Sequence, residues 1–347
     1  MEINLSRSKQ DSSLEIDSIV ELIASTQRKS GEIPWCEGQK TDPWDHIEAA
    51  MGLSIGGYFT RARQAFYWAA QKQNSDGSWF ASYNRGVPED KTRDANLSSY
   101  IAVGVYHYYL ITGDLNFLKD MWPAVYAAIN FALSLQRPEG EIYWAISPKG
   151  KVDPMALLTG CSSICMSIKS ALAIAKHLGY TLPKWARGLK KLENAIVNKP
   201  HRFNMTKSRF SMDWFYPILC GAVTGDDARR RIDKYWKKYV IEGQGVRCVY
   251  DEPWITIAET SELSMTLAAM GNYTLAEIVY HWMDDKKFED GTCWCGFTFP
   301  DMTLWPEDKI TWTNAVVLMA ADALYGLTPA AQLFSHQFWS SSNFSCY

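Results

Sequence analysis

This chain is short of several things, and each shortage narrows what it can be. It has almost no net charge: 35 Lys and Arg stand against 38 Asp and Glu, a balance of −3 with a pI near 6.1. Neutralising phosphates takes a basic face, so nucleic acid is excluded as the main partner. No run approaches the roughly 20 apolar residues that span a bilayer. The first residues, Met1-Glu-Ile-Asn-Leu-Ser6, show no charged-then-apolar leader. A cytoplasmic location is the expectation, with at most peripheral membrane contact. The eight Cys, at 36, 161, 165, 220, 248, 293, 295 and 346, fall mostly in apolar segments and read as buried thiols of a reducing compartment. Cys293-x-Cys295 is too tight for a two-thiolate zinc knuckle, and no His lies beside it at ligand spacing. Neither a metal nor an organic cofactor is expected. Strand alternation is scarce, and no Pro/Gly/Ser-rich linker divides the chain.

Aromatic side chains are abundant: 15 Trp, 18 Tyr and 14 Phe make 14% of the residues. Most belong to core packing, and the remainder are enough to line a large pocket. One phrase is also written twice. Gln27-Arg-Lys-Ser-Gly31-Glu32-Ile33-Pro-Trp35 returns as Gln136-Arg-Pro-Glu-Gly140-Glu141-Ile142-Tyr143-Trp144, with looser copies at Gln73 to Trp79 and Phe288 to Trp294. Each copy follows a helix-like stretch, and a repeat of this kind marks stacked supersecondary units. Its Gly suits a helix end in the left-handed region. Its Trp (35, 79, 144 or 294) is placed to pack on the helix just ended.

Helical periodicity covers most of the chain, with segments at 16–26, 45–56, 61–71, 96–111, 115–135, 160–178, 184–194, 214–219, 226–240, 258–270, 274–283 and 311–324. Short turns alternate with long, aromatic, acidic loops at 31–44, 74–92, 138–154, 198–212, 244–256 and 289–309. That alternation predicts an all-α single (α/α)6 barrel, a toroid of helical hairpins with its pocket at the long-loop end. The domain bounds are a flexible 1–12, a barrel over 13–330, and a tail over 331–347.

The repeated phrase resembles the glutamine–tryptophan motif of squalene–hopene and oxidosqualene cyclases. With the single-domain length and Asp42-Pro-Trp44-Asp45-His46-Ile-Glu48, the chain is similar to the monodomain class II terpene cyclases of cyanobacterial merosterol biosynthesis, in the prenyltransferase-like α/α-barrel superfamily. The resemblance implies a metal-independent cyclase acting on an apolar polyprenyl or prenylated aromatic substrate. Its proton donor would be Asp94, in Lys91-Thr92-Arg93-Asp94-Ala95-Asn96, where Thr92 and Ala95 replace the family's other two carboxylates. Such an acid must be buried to stay protonated near neutral pH. Read from residues alone, Asp94 is equally a helix N-cap, and Arg93 beside it would lower its pKa if it faced inward.

Asn96 is a candidate for orienting the acid, and His46, Glu48 and Glu259 for taking the last proton. Asp45, His46 and Glu48 form a polar triplet in an apolar helix; Glu262, Asp301 and Glu307 raise the same question. Cation-stabilising faces are expected from Trp44, Tyr83, Tyr143, Trp214, Phe215, Tyr216, Trp254, Phe297, Trp305 and Trp312. The main competing reading is an (α/α)6 glycoside hydrolase pairing Asp94 with Glu259, Asp213 or Glu307. Two others are weaker. Protein prenylation would place zinc near Asp290 and Cys293, but its His would have to be the distant His336. An Asp-Asp-x-x-Asp magnesium site fails because Phe288 follows Asp284-Asp285. A non-catalytic lipid-binding toroid completes the set.

Overall fold

The computed structural model describes residues 5–341. Residues 1–4 and 342–347, Cys346 among them, lie outside the described residues. Helices alternate between an outer and an inner layer. The outer ones are α1 (Leu5–Thr26), α3 (Phe59–Lys72), α6 (Leu115–Ser134), α8 (Pro183–Asn198), α10 (Gly225–Tyr239) and α12 (Tyr273–His281). The inner ones are α2 (Pro43–Ile55), α4 (Ala95–Ser99) running on through Tyr100 into α5 (Ile101–Thr112), α7 (Leu158–His177), α9 (Met212–Leu219), α11 (Ile257–Ala269) and α13 (Thr311–Tyr325). Around the ring α2 packs on α5, α5 on α7, α7 on α9, α9 on α11, α11 on α13, and α13 back on α2. The expected (α/α)6 barrel is the observed fold.

Sequence explains the layering. Every residue of α11 is buried, whereas α10, with Asp226, Asp227, Arg229 and Arg230 outward, buries only Ala228, Ile232 and Tyr239. A helix with no charged outer stripe is enclosed on every side; one with an apolar stripe and a charged face covers it. By length and composition α7 would span a bilayer, but its apolar surface is taken up inside the ring.

Inner helices return to outer ones through short turns, such as Gly113-Asp114, where Gly113 is left-handed and Asp114 caps α6. The opposite connections are long and hold all the strands described. They are β1 (Ser82–Asn84) with β2 (Val87–Asp90); β3 (Arg93–Asp94), β4 (Ala145–Ile146) and β5 (Val152–Asp153); and β6 (Val240–Ile241), β7 (Gly245–Arg247), β8 (Trp254–Thr256) and β9 (Gly296–Thr298), all pairing antiparallel. β3 runs directly into α4 and β8 into α11, which sets where those helices begin.

The repeated phrase is the mortar of the outer layer. Gln27 Nε2 donates to Gly31 O at 3.0 Å and to Arg61 O of α3 at 2.9 Å. Gln73 does the same to Gly77 and Ala124 of α6, and Gln136 to Gly140 and Gly188 of α8. Each Gly has positive φ and abuts the next outer helix; a Cβ on Gly140 would lie 2.1 Å from Lys191 O. Three corners thus use one hydrogen-bonding pattern to tie consecutive outer helices. The tail packs on the barrel: α14 (His336–Ser340) places Trp339 against Tyr106, with ring centroids 6.2 Å apart, and His336 Nε2 lies 2.7 Å from Ile218 O.

Candidate active site

All six inner helices begin at the long-loop end, and four of them begin on a carboxylate. Asp42 caps α2 and Asp45 stands in its first turn; Asp94 caps α4; Asp213 and Glu259 lie in the first turns of α9 and α11. Unpaired N–H groups at a helix start favour negative charge, so an acid at these positions is locally sensible. Acids at four of the six starts, all at one end of the barrel, are more than capping requires.

Asp45 is half-buried, and its carboxyl is held well above the usual range, first by burial and then by the charge and hydrogen bond of Asp42. Asp42 itself accepts the Asp45 N–H at 3.0 Å and the Trp35 indole N–H at 2.8 Å. This is a carboxylic acid whose surroundings favour its protonated form, and it stays open on one side. Across α13, Glu259 is hydrogen-bonded to the Cys248 thiol. Around it Trp35, Trp254 and Trp312 pack on Cys36, Cys295 and Ile310. The Trp312 Nε1 is buried without a partner.

Deeper on the axis every inner helix contributes to a floor with room for only about 10 Å3. Glu48 Oε1 accepts from Trp44 Nε1 at 2.6 Å and from Tyr100 OH at 3.3 Å, and Glu262 Oε1 accepts from Tyr216 OH at 2.5 Å. Burial raises the pKa of Glu48 to about 8 and that of Glu262 well above the ordinary range, Glu48 adding to the second. No ligand fits between them.

Beside the axis, between α2, α4 and α7, a cavity of about 160 Å3 is lined by Trp44, Asp94, Asn96, Trp144, Thr159 and apolar neighbours. Asp94 Oδ1 accepts the N–H groups of Asn96 and Leu97, at 2.7 and 3.0 Å. Burial nevertheless raises its pKa to about 6, against those two bonds and with a smaller push from Asp42. Arg93 turns away to pair with Asp76. A wider groove of about 1100 Å3, lined by residues such as Leu22, Arg28, Arg85 and Lys309, runs along the outside and holds none of these axial acids.

The other expected residues divide sharply. His46 is filled by backbone: Nδ1 accepts from Ile33 N at 3.1 Å and Nε2–H donates to Ala65 O at 2.9 Å. Tyr83, Trp214, Phe215 and Phe297 are core; Trp214 Nε1 donates to Arg231 O and its ring stacks on Tyr239 at 5.2 Å. Tyr143 is half-buried under Arg137. Trp305 is 61% exposed and meets Trp254 edge-on at 5.4 Å. Of the aromatic set, Trp44 lines the side cavity, Tyr216 reaches the floor, and Trp254 and Trp312 flank the mouth. Asp213 is occupied by Thr159, whose N–H and hydroxyl both donate to it. Tyr100 and Asp42 were missed; Asp42-Pro43 is a readable cap-then-N1 signature. Among the described residues no group of three His, Cys, Asp or Glu is arranged to hold a metal.

No protein-family model matches the chain. It is 46% identical over 312 residues, 90% of its length and 86% of the relative's, to the MMP endo-(1,4)-3-O-methyl-alpha-D-mannosidase of Mycolicibacterium hassiacum. The chain belongs to that mannosidase's family. This chain shares its fold with a GH63 mannosylglycerate hydrolase from Thermus thermophilus (TM-score 0.70, 10% identity, 88% of this chain and 99% of that one). A D-mannose isomerase is similarly close in fold (TM-score 0.69, 11% identity, 94% and 99%).

Family membership overturns the expected class II terpene cyclase, its merosterol subgroup and its polyprenyl or prenylated aromatic substrate. The physical reason is visible in the cavity walls. A hydrocarbon cannot satisfy the buried, unpartnered Asn96 Oδ1 and Trp144 Nε1. Four of the ten rings assigned to cation stabilisation face the core instead. The glutamine–tryptophan likeness belongs to the corners and not to the chemistry.

Proposed function

We propose that the chain is a glycoside hydrolase cleaving α-(1,4)-linked mannosides, with 3-O-methylated mannose chains as the substrate class. The identity to the mannosidase carries this reading, and the ring of helix-start carboxylates supports it. Asp45 is the general acid. Half-open, and with its pKa raised by burial and by Asp42, it gives its proton to the glycosidic oxygen as the C1–O bond breaks. Glu259 is the base that deprotonates a water attacking C1 from the opposite face. The two stand on different inner helices, α2 and α11, with α13 between them; an inverting reaction uses such a pair at about 6.5–9.5 Å, with the water held in between. Glu48 and Glu262 lie on a floor too tight for a sugar. A cytoplasmic site of action is part of the proposal, supported by the seven cysteines among the described residues, none of which forms a disulfide.

The test is incubation with an α-(1,4)-linked 3-O-methylmannose oligosaccharide, followed by NMR of the first product. Shorter chains released with a β-configured new end support the reading. An enzyme that hydrolyses no mannoside, or that stays fully active as both Asp45→Asn and Glu259→Gln, refutes it.

A further inference from the structure

The cavity between α2, α4 and α7 takes no part in the proton transfers, yet it has the build of a binding site. Its polar groups are incomplete in a particular way. Asn96 is only 7% exposed, lines the cavity, and leaves Oδ1 buried without a donor. Trp144, also on the wall, leaves its Nε1–H without an acceptor. Asp94 spends Oδ1 on the α4 backbone, and no protein hydrogen bond is shown to its Oδ2. Facing them are Leu97, Ile142, Leu157 and Ile164, with the Trp44 ring at one side. Buried polar atoms are nearly always satisfied in folded proteins, so unpaired ones around one space mark where a ligand's polar groups belong.

We infer that this cavity is a monosaccharide subsite. It holds one hexose ring of the substrate with hydroxyls donating to Asp94 and Asn96 and a ring substituent oxygen accepting from Trp144. The size agrees: about 160 Å3 equals roughly five waters at ~30 Å3 each, the room of one compact polar ring. A sugar also presents one apolar face, and the aliphatic wall opposite Asp94 accommodates it. The location agrees as well. Trp44, which lines this cavity, is the chain neighbour of Asp45, so a ring here lies on the side of α2 that carries the acid. Asp94 acquires its role by this route: its cap bonds fix it rigidly while its second oxygen meets the sugar.

The inference rests on the glycosidase reading for the ligand's class, but its test does not require turnover. Methyl α-D-mannoside and a short α-(1,4)-mannooligosaccharide are titrated into the wild-type protein and into Trp144→Phe and Asn96→Leu, with binding followed by ligand-observed NMR. Trp144→Phe keeps the ring and removes only the N–H. Each variant is expected to bind about tenfold more weakly, the loss of one buried hydrogen bond. Asp45→Asn should bind as wild type while losing hydrolysis. Unchanged affinity in both cavity variants, or no binding of either sugar by the wild type, overturns the subsite. Binding that weakens as stated in a protein that cleaves no mannoside leaves the subsite standing and removes the hydrolase.

Discussion

The corners of the outer layer and the starts of the inner helices are built from the same kinds of residue, and they do opposite work. At the corners, Gln27, Gln73 and Gln136 repeat one bonding pattern, each with both amide hydrogens satisfied by backbone. At the inner starts nothing repeats: Asp45 with Asp42, Asp94 with an open oxygen, Asp213 closed off by Thr159, Glu259 beside a thiol. Repetition belongs to the part that closes the ring. Chemistry belongs to the positions that the repeat leaves free, which is why a family resemblance read from the corners reached the fold and mistook the activity.

The contrast breaks if the two sets of residues fail to separate experimentally. The largest effect is expected from Asp45→Asn and Glu259→Gln, which should lower kcat by about 10²–10⁴, the usual contribution of a positioned acid or base. Their melting temperatures should stay near wild type; a matching loss of stability would return both residues to structure. Next comes Gly140→Ala, which needs left-handed backbone and drives a Cβ into Lys191 O. It should cost about 2–4 kcal/mol in denaturant unfolding, with kcat per folded molecule unchanged. Gln136→Leu should cost about 1–3 kcal/mol by leaving the Gly140 and Gly188 carbonyls without their donor.

The floor gives a pH signature. Glu48 is protonated in the fold up to about 8, whereas in the unfolded chain it ionises near 4.5. The folded state therefore holds the extra proton between those values, and stability from this group is full below pH 4.5 and declines until about 8. Melting curves from pH 5 to 8 should show Glu48→Gln losing less stability over that range than wild type. Parallel curves would mean that water reaches the carboxyl. The smallest effect is expected at the rim: Trp305→Ala should raise KM severalfold on long chains, through loss of an exposed stacking face, and leave Tm unaltered.

The fold was legible because its causes are local and periodic. Largely apolar segments such as 160–178, striped ones such as 226–240, and a Gly–Trp phrase repeated at several bends carry the toroid in the order of residues. The site was less legible because its acids double as ordinary helix caps. Asp94 matched both a cap and a cyclase acid, and it is indeed a cap whose other oxygen faces a cavity. Asp45 was hidden in a triplet whose His46 proves to be backbone-bound. Trp214-Phe215-Tyr216 read as a pocket wall, yet their helical spacing sends the first two into the core and only Tyr216 to the axis. Which face of a short helix looks inward is decided by neighbours far away in the chain.

The common direction of the inner helices has one more outcome. Each helix start carries the equivalent of about half a positive charge, and six such starts surround one opening. That field lets several acids crowd the mouth without scattering it by repulsion, and it acts on their protons more than on the approach of a neutral sugar chain. Capture of substrate should accordingly be indifferent to ionic strength, while the acidity of the mouth is set by the architecture itself.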